Sequence, residues 1–134
     1  MMTLAYARHS SAFAPSELTG VRVLVVEDSW EVSEGLKLLL ESLGADVVGP
    51  VATADDARRL LTRCIPNVAL VDINLRNGEL SYGLVDEMHG LGVPVVVITG
   101  YANVSTANGK VAAILKKPFS DVDLLATLRL LKKN

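Results

Sequence analysis

The chain has 134 residues, the size of one ordinary domain. Half of the residues are apolar and 21% are charged, a composition that supports a buried core and excludes a wholly disordered chain. The net charge of -2 lacks the basic excess of a nucleic-acid-binding protein, and no apolar run approaches the ~20 residues that cross a bilayer. The single cysteine excludes an internal disulfide and the start has no signal-peptide pattern, so we expect a cytoplasmic location.

Residues 1–20 are predicted to form a leader, flexible like most chain ends, ahead of one domain over residues 21–134. They are rich in Ala and Ser and lack the period of a helix or a strand. The apolar side chains of Leu4, Tyr6 and Phe13 leave open a short docked helix that binds a partner or the domain itself.

From Val21 onward, short runs rich in β-branched residues alternate with longer stretches of helical period. Several runs are apolar at consecutive positions, which is typical of strands buried on both faces of a parallel sheet. Only the interval 101–110 has a weak helical pattern, because its Asn and Gly residues are poor helix formers. The strand-like runs are Val21–Val26, Asp46–Gly49, Val68–Val71, Val93–Ile98 and Val111–Leu115.

This alternation predicts an α/β fold, a doubly wound five-stranded parallel sheet of the flavodoxin-like type with helices on both faces. The expected strand order is 2-1-3-4-5, which places a crevice at the carboxyl ends of strands 1 and 3. Thr53 and Ser120 each precede an acidic residue by three positions, the spacing of a capping box at a helix start.

Polar residues stand where four of the predicted strands end, and parallel strands bring those ends to one edge of the sheet. Three carboxylates at one edge would raise one another's pKa unless a cation lies among them, and hard carboxylate oxygens suit Mg²⁺. The sequence therefore predicts a magnesium site beside a lysine. Its residues are Glu27, Asp28, Asp72, Thr99, Gly100 and Lys117.

The same residues exclude two other uses of such a sheet. A nucleotide-binding version needs a glycine-rich phosphate loop after the first strand, where this chain has Glu27-Asp28-Ser29. A phosphatase of the haloacid dehalogenase type needs a second acid two residues after its nucleophile, where this chain has Asn74.

Four motifs follow one another along the chain: VLVVEDS at Val23–Ser29, VALVDINL around Asp72, VVVITGY around Thr99, and LKKPF around Lys117. In this order they resemble the receiver domain of bacterial two-component response regulators. The resemblance covers Val21 to Lys133, nearly the whole chain. The fourth strand partly matches the Phe-Ala-Thr-Gly-Tyr-like signature of a subset found often in alphaproteobacteria.

The resemblance implies that Asp72 accepts a phosphoryl group from a phosphohistidine and that Mg²⁺ is the cofactor. It also implies that Lys117 and the Thr99 hydroxyl, with the Gly100 N–H, bind phosphoryl oxygens, and that a cis bond precedes Pro118. Catalysis is then limited to the domain's own phosphorylation and dephosphorylation. The implied metal ligands are Asp28, Asp72, the Asn74 backbone carbonyl and, through a water, Glu27.

One departure from the common receiver pattern concerns the moving part of the switch. Typical receivers carry an aromatic residue three positions before the lysine, where this chain has Ile114. We hypothesise that Tyr101 takes its place: phosphorylation draws Thr99 inward and the following loop orders.

The resemblance implies a sensor histidine kinase or phosphotransfer protein as one partner and an unnamed downstream protein as another. The net charge of -2 and the lack of a long apolar run predict no nucleic-acid or membrane partner, and a homodimer is left open. The chain stops at Asn134, just after the last predicted helix, so a stand-alone receiver is expected. Two alternatives remain: a receiver-like interaction module that is not phosphorylated, and a receiver fragment of a hybrid histidine kinase.

Overall fold

The computed structural model describes residues 16–75, 81–100 and 109–132. No helix in these ranges is long and apolar enough to span a membrane. The strands are β1 (Arg22–Val26), β2 (Asp46–Val51), β3 (Val68–Asp72), β4 (Val95–Thr99) and β5 (Ala113–Lys116). The helices are α1 (Trp30–Ser42), α2 (Ala54–Leu61), α3 (Tyr82–Gly90) and α4 (Asp121–Lys132).

The five strands form one parallel sheet in the order β2-β1-β3-β4-β5, which confirms the predicted fold and strand order. Asp72 lies opposite Ile98 in the register of β3 and β4, so these central strands end at nearly the same level. The short helix predicted over residues 101–110 falls mostly on residues 101–108, outside the described ranges.

Two apolar clusters, one on each face of the sheet, hold the helices in place. Leu40 of α1 and Leu125 of α4 belong to one cluster, whereas Ala57 of α2 and Met88 of α3 belong to the other. Every residue of β3 and β4 is buried. Because both faces of these strands are covered, each position must be apolar until the strand ends, and polar side chains enter only at the edge.

Polar residues cap the N-termini of three helices and so set where each helix begins after the preceding loop. The Asp56 N–H donates to Thr53 Oγ at 3.1 Å, which confirms the predicted cap of α2. Ser120 and Asp123 exchange bonds of 3.0 and 3.4 Å between backbone and side chain, completing a capping box at α4. Ser29 caps α1 with one bond, since its Oγ accepts the Val32 N–H at 3.4 Å, and the helix begins two residues after Asp28.

The end of the predicted leader lies against the domain. Leu18 is fully buried, and its N–H donates to the Leu43 carbonyl oxygen at 2.8 Å. The Glu17 carboxylate forms an ion pair with Arg129 of α4. Residues 1–15 are outside the described ranges.

Replacing Gly35 with Ala is expected to stabilise the protein. Gly35 lies within α1 and is exposed, and no atom lies within 4 Å of the place a Cβ would take. Alanine is favoured over glycine inside a helix by ~1 kcal/mol, so the free energy of unfolding in urea should rise by about that amount.

Gly49→Ala is the matched control for this prediction. Gly49 has a φ of +92°, and its Cβ would lie 2.9 Å from the Val51 nitrogen, so this variant should lose stability. A Gly35→Ala protein that is less stable than the wild type would contradict the packing described for α1.

Candidate functional site

Three ionisable residues from separate strands meet at the carboxyl edge of the sheet. Glu27 follows β1 directly, Asp72 is the last residue of β3, and Lys117 follows β5. Main-chain bonds fix two of these ends: the Glu27 N–H donates to the Val51 carbonyl at 2.9 Å, and the Lys117 N–H donates to the Thr99 carbonyl at 2.7 Å. Residues 45 positions apart in the chain thus come into direct contact.

The Lys117 ammonium lies between two carboxylates. Its Nζ is 3.1 Å from Asp72 Oδ2, to which it donates a hydrogen bond, and 3.0 Å from Glu27 Oε1. Partial burial alone lowers the pKa of Lys117, but the Glu27 and Asp72 carboxylates outweigh it and raise the pKa above its ordinary value. The expected cis bond before Pro118 is present.

Glu27 is a buried carboxylate that the protein satisfies only in part. Its Oε2 accepts the Ser29 N–H at 3.0 Å. Its Oε1 has no hydrogen-bond partner among the described residues, and the Lys117 ammonium lies 3.0 Å from it as an ion pair. Burial raises the pKa of Glu27 from 4.5 to about 7, although the Ser29 N–H and Lys117 lower it.

The acid cluster fits a small divalent cation by its chemistry. Glu27, Asp28 and Asp72 each offer one carboxylate oxygen, and these oxygens lie within 4.8 Å of one another. The buried Glu27 Oε1 makes no hydrogen bond within the part of the chain described and is balanced only by the Lys117 ammonium, which leaves the three acids with more negative charge than one lysine offsets. Hard oxygen donors of this kind match the ligand preference of Mg²⁺.

Asn74 and Thr99, two other predicted site residues, lie close to the cluster. The Asn74 N–H donates to Asp72 Oδ1 at 2.9 Å, while Lys117 donates to the other oxygen, Oδ2. Thr99 ends β4 and is fully buried, and Gly100 follows it at the surface. The roles predicted for these residues in binding phosphoryl oxygens remain predictions.

The predicted switch residues are described only in part. Tyr101 lies outside the described ranges, so its proposed movement stays a hypothesis. Ile114 lies on β5 opposite Val97 and is 37% exposed, so it occupies a partly open position on an edge strand.

Sequence analysis missed Ser81. This serine is fully buried before α3, and its hydroxyl donates to the Asp72 carbonyl oxygen at 2.8 Å. A serine ahead of an apolar helical pattern is a usual capping signal, but nothing in the spacing predicts that it turns back to the strand instead.

The fold and the site together define a class of protein: a doubly wound α/β domain with an acid cluster and a lysine at the carboxyl edge of its sheet. Comparison with known proteins narrows this class. Residues 23–129 match the profile of the response regulator receiver domain family. The chain belongs to that family.

Two curated relatives show how this domain is used in longer proteins. The chain is 27% identical over 110 residues to the phyllosphere-induced regulator PhyR of Methylorubrum extorquens, covering 79% of this chain and 41% of PhyR. It is 37% identical over 83 residues to a protein-glutamate methylesterase/protein-glutamine glutaminase of Geobacter metallireducens, covering 60% of this chain and 23% of that protein. The chain therefore spans less than half the length of either relative.

Solved structures show the same fold. The receiver domain of Erythrobacter litoralis PhyR superposes with a TM-score of 0.77 at 28% identity, covering 86% of this chain and 92% of that one. The crystal structure of PhyR from Brucella abortus gives 0.73 at 27% identity, covering 96% of this chain and 52% of that one.

Proposed function

We propose that this receiver domain accepts a phosphoryl group on Asp72 from a phosphohistidine of a sensor kinase or phosphotransfer protein. Phosphorylation then changes its binding to a downstream protein. The observation that carries the proposal is the position of the Asp72 carboxylate, which contacts the Lys117 ammonium and shares the acid cluster with Glu27 and Asp28.

The transfer requires one bond to form and one to break. A carboxylate oxygen of Asp72 forms a bond to phosphorus while the bond from phosphorus to the imidazole nitrogen breaks, giving an acyl phosphate. The electron pair of the broken bond stays on the imidazole, which takes up a proton from solvent. Because such transfers are governed by positioning and charge, the protein accelerates the reaction mainly by holding Asp72 in place and by placing the Lys117 ammonium beside it.

Each neighbour of Asp72 has a separate part in this chemistry. Lys117 already contacts Asp72, so its charge is in place to compensate the added phosphoryl oxygens. The Asn74 N–H holds Asp72 Oδ1 and so orients the carboxylate. Thr99 and Gly100 stand at the end of the neighbouring strand β4 and are proposed to bind a further phosphoryl oxygen.

Mg²⁺ is the proposed cofactor, held by Asp28, Asp72 and the Asn74 carbonyl, with Glu27 acting through water. When bound, Mg²⁺ neutralises charge on the transferring group and on the acids. Asp72 is favoured over Glu27 as the acceptor because the Glu27 side chain has no exposed surface and its Oε2 already accepts the Ser29 N–H.

Intact-mass spectrometry after incubation with acetyl phosphate tests this function. With Mg²⁺ the wild-type chain should gain the mass of one phosphoryl group, and with EDTA it should gain none. A chain that gains no mass in Mg²⁺ would favour the alternative of a receiver-like module that works without phosphorylation.

A further inference from the structure

Ser81 is placed to cap α3 but does not do so. A serine just before a helix ordinarily accepts a hydrogen bond from a backbone N–H two or three residues on, and this bond stabilises the helix. Ser81 makes no such bond within the described part of the chain, and its φ and ψ of -95° and 19° are not those of a usual cap. Its hydroxyl donates instead to the Asp72 carbonyl oxygen at 2.8 Å.

This bond completes the restraint of one peptide unit. The unit between Asp72 and Ile73 carries the Asp72 carbonyl and the Ile73 N–H. The carbonyl accepts from Ser81, and the N–H donates to the Ile98 carbonyl of β4 at 3.0 Å. Both polar ends of the unit are therefore held by neighbouring elements, which fixes the ψ angle of Asp72.

A second bond holds the next carbonyl along the chain. The Ser81 N–H donates to the Ile73 carbonyl oxygen at 3.1 Å. One buried residue thus binds two successive carbonyls at the point where β3 ends and the loop begins. Because Asn74 follows directly and donates to Asp72 Oδ1, the path from Asp72 to Asn74 is constrained along its length.

We infer that Ser81 is a positioning residue for the Asp72 carboxylate, an inference that rests on the function proposed above. Its hydroxyl fixes the main chain of Asp72, and the main chain sets the direction of the side chain toward Lys117 and the other two acids. The Ser81 hydroxyl therefore binds the main chain of Asp72 instead of capping α3. Small displacements of a reacting group slow transfer strongly, so this restraint matters for the rate.

A Ser81→Ala variant tests the inference, with Ser33→Ala as the matched control. Ser33 is also a buried serine, and its hydroxyl donates to the Trp30 carbonyl at 3.1 Å, within α1. Both variants lose one buried hydroxyl that binds a main-chain carbonyl. Only Ser81→Ala should move the ¹³C shift of the Asp72 carboxyl carbon and the amide shift of Asn74, and only it should slow phosphorylation by acetyl phosphate at saturating Mg²⁺, by about tenfold.

The outcomes are distinguishable. If Ser81→Ala keeps the wild-type Asp72 and Asn74 shifts and the wild-type rate while losing stability, Ser81 is a structural residue only and the inference is overturned. If wild type takes up no phosphoryl group, the proposed function fails, but the shifts, recorded without metal or phosphodonor, still decide the inference. If Ser81→Ala does not fold, Ser81→Cys keeps a side chain of similar size with a weaker donor, and unchanged shifts in that variant overturn the inference equally.

Discussion

An Asp72→Asn variant will gain no phosphoryl group from acetyl phosphate under conditions in which the wild type gains one. The substitution keeps the shape of the side chain but replaces a carboxylate with an amide, which is not a nucleophile toward phosphorus. Asp72 is the described carboxylate that contacts both the Lys117 ammonium and the Asn74 N–H, so an exchange at this residue removes the acceptor. Intact-mass spectrometry in Mg²⁺ measures the result.

Asp121→Asn is the control for this experiment. Asp121 is an exposed carboxylate on the first turn of α4, and its loss should leave the mass gain at one phosphoryl group. A phosphorylated Asp72→Asn protein would place the acceptor elsewhere, and peptide mapping would then identify the modified residue.

Replacing Glu27 with Gln is expected to stabilise the metal-free protein at high pH and to leave it unchanged at low pH. Burial raises the pKa of Glu27 in the folded protein to about 7, above the ordinary 4.5 expected after unfolding. The folded state therefore holds this proton more tightly, so Glu27 favours folding below pH 4.5, and that contribution is lost as the pH rises through about 7.

The size of the effect follows from the shift. One pKa unit corresponds to ~1.4 kcal/mol, and water at the edge of the sheet screens part of the difference. The free energy of unfolding of the wild type at pH 8 should therefore be about 2 kcal/mol lower than that of Glu27→Gln. Urea unfolding in EDTA at pH 5 and pH 8 measures the gap between the two proteins. Other groups that titrate are common to the two proteins, so their contributions cancel in this difference in the free energy of unfolding.

Glu31→Gln serves as the control on an exposed acid of α1, and its stability should follow that of the wild type at both values of pH. A gap between wild type and Glu27→Gln that stays constant from pH 5 to pH 8 would show that Glu27 titrates normally.

The fold and the residues at the edge of the sheet could be predicted from the order of the amino acids. Runs such as Val68–Val71 are apolar at every position because both faces of the central strands are covered, and the alternation with helical periods leaves few topologies. Parallel strands end at one edge, so the polar residues at or just after their ends, such as Asp72 and Lys117, were expected at that edge. The order of the strands was predicted from the usual arrangement of a five-stranded doubly wound sheet, and the structure confirms it.

The contacts between those side chains depend on the tertiary structure and could not be predicted from the sequence. Lys117 lies between Glu27 and Asp72, Glu27 is buried with a raised pKa, and Ser81 binds the Asp72 carbonyl. These features depend on distances between segments that are far apart in the chain. Periodicity reports which face of an element is covered, because that depends on neighbouring positions. It carries no information on the distance between two side chains from different elements, which is set by how the sheet and helices pack.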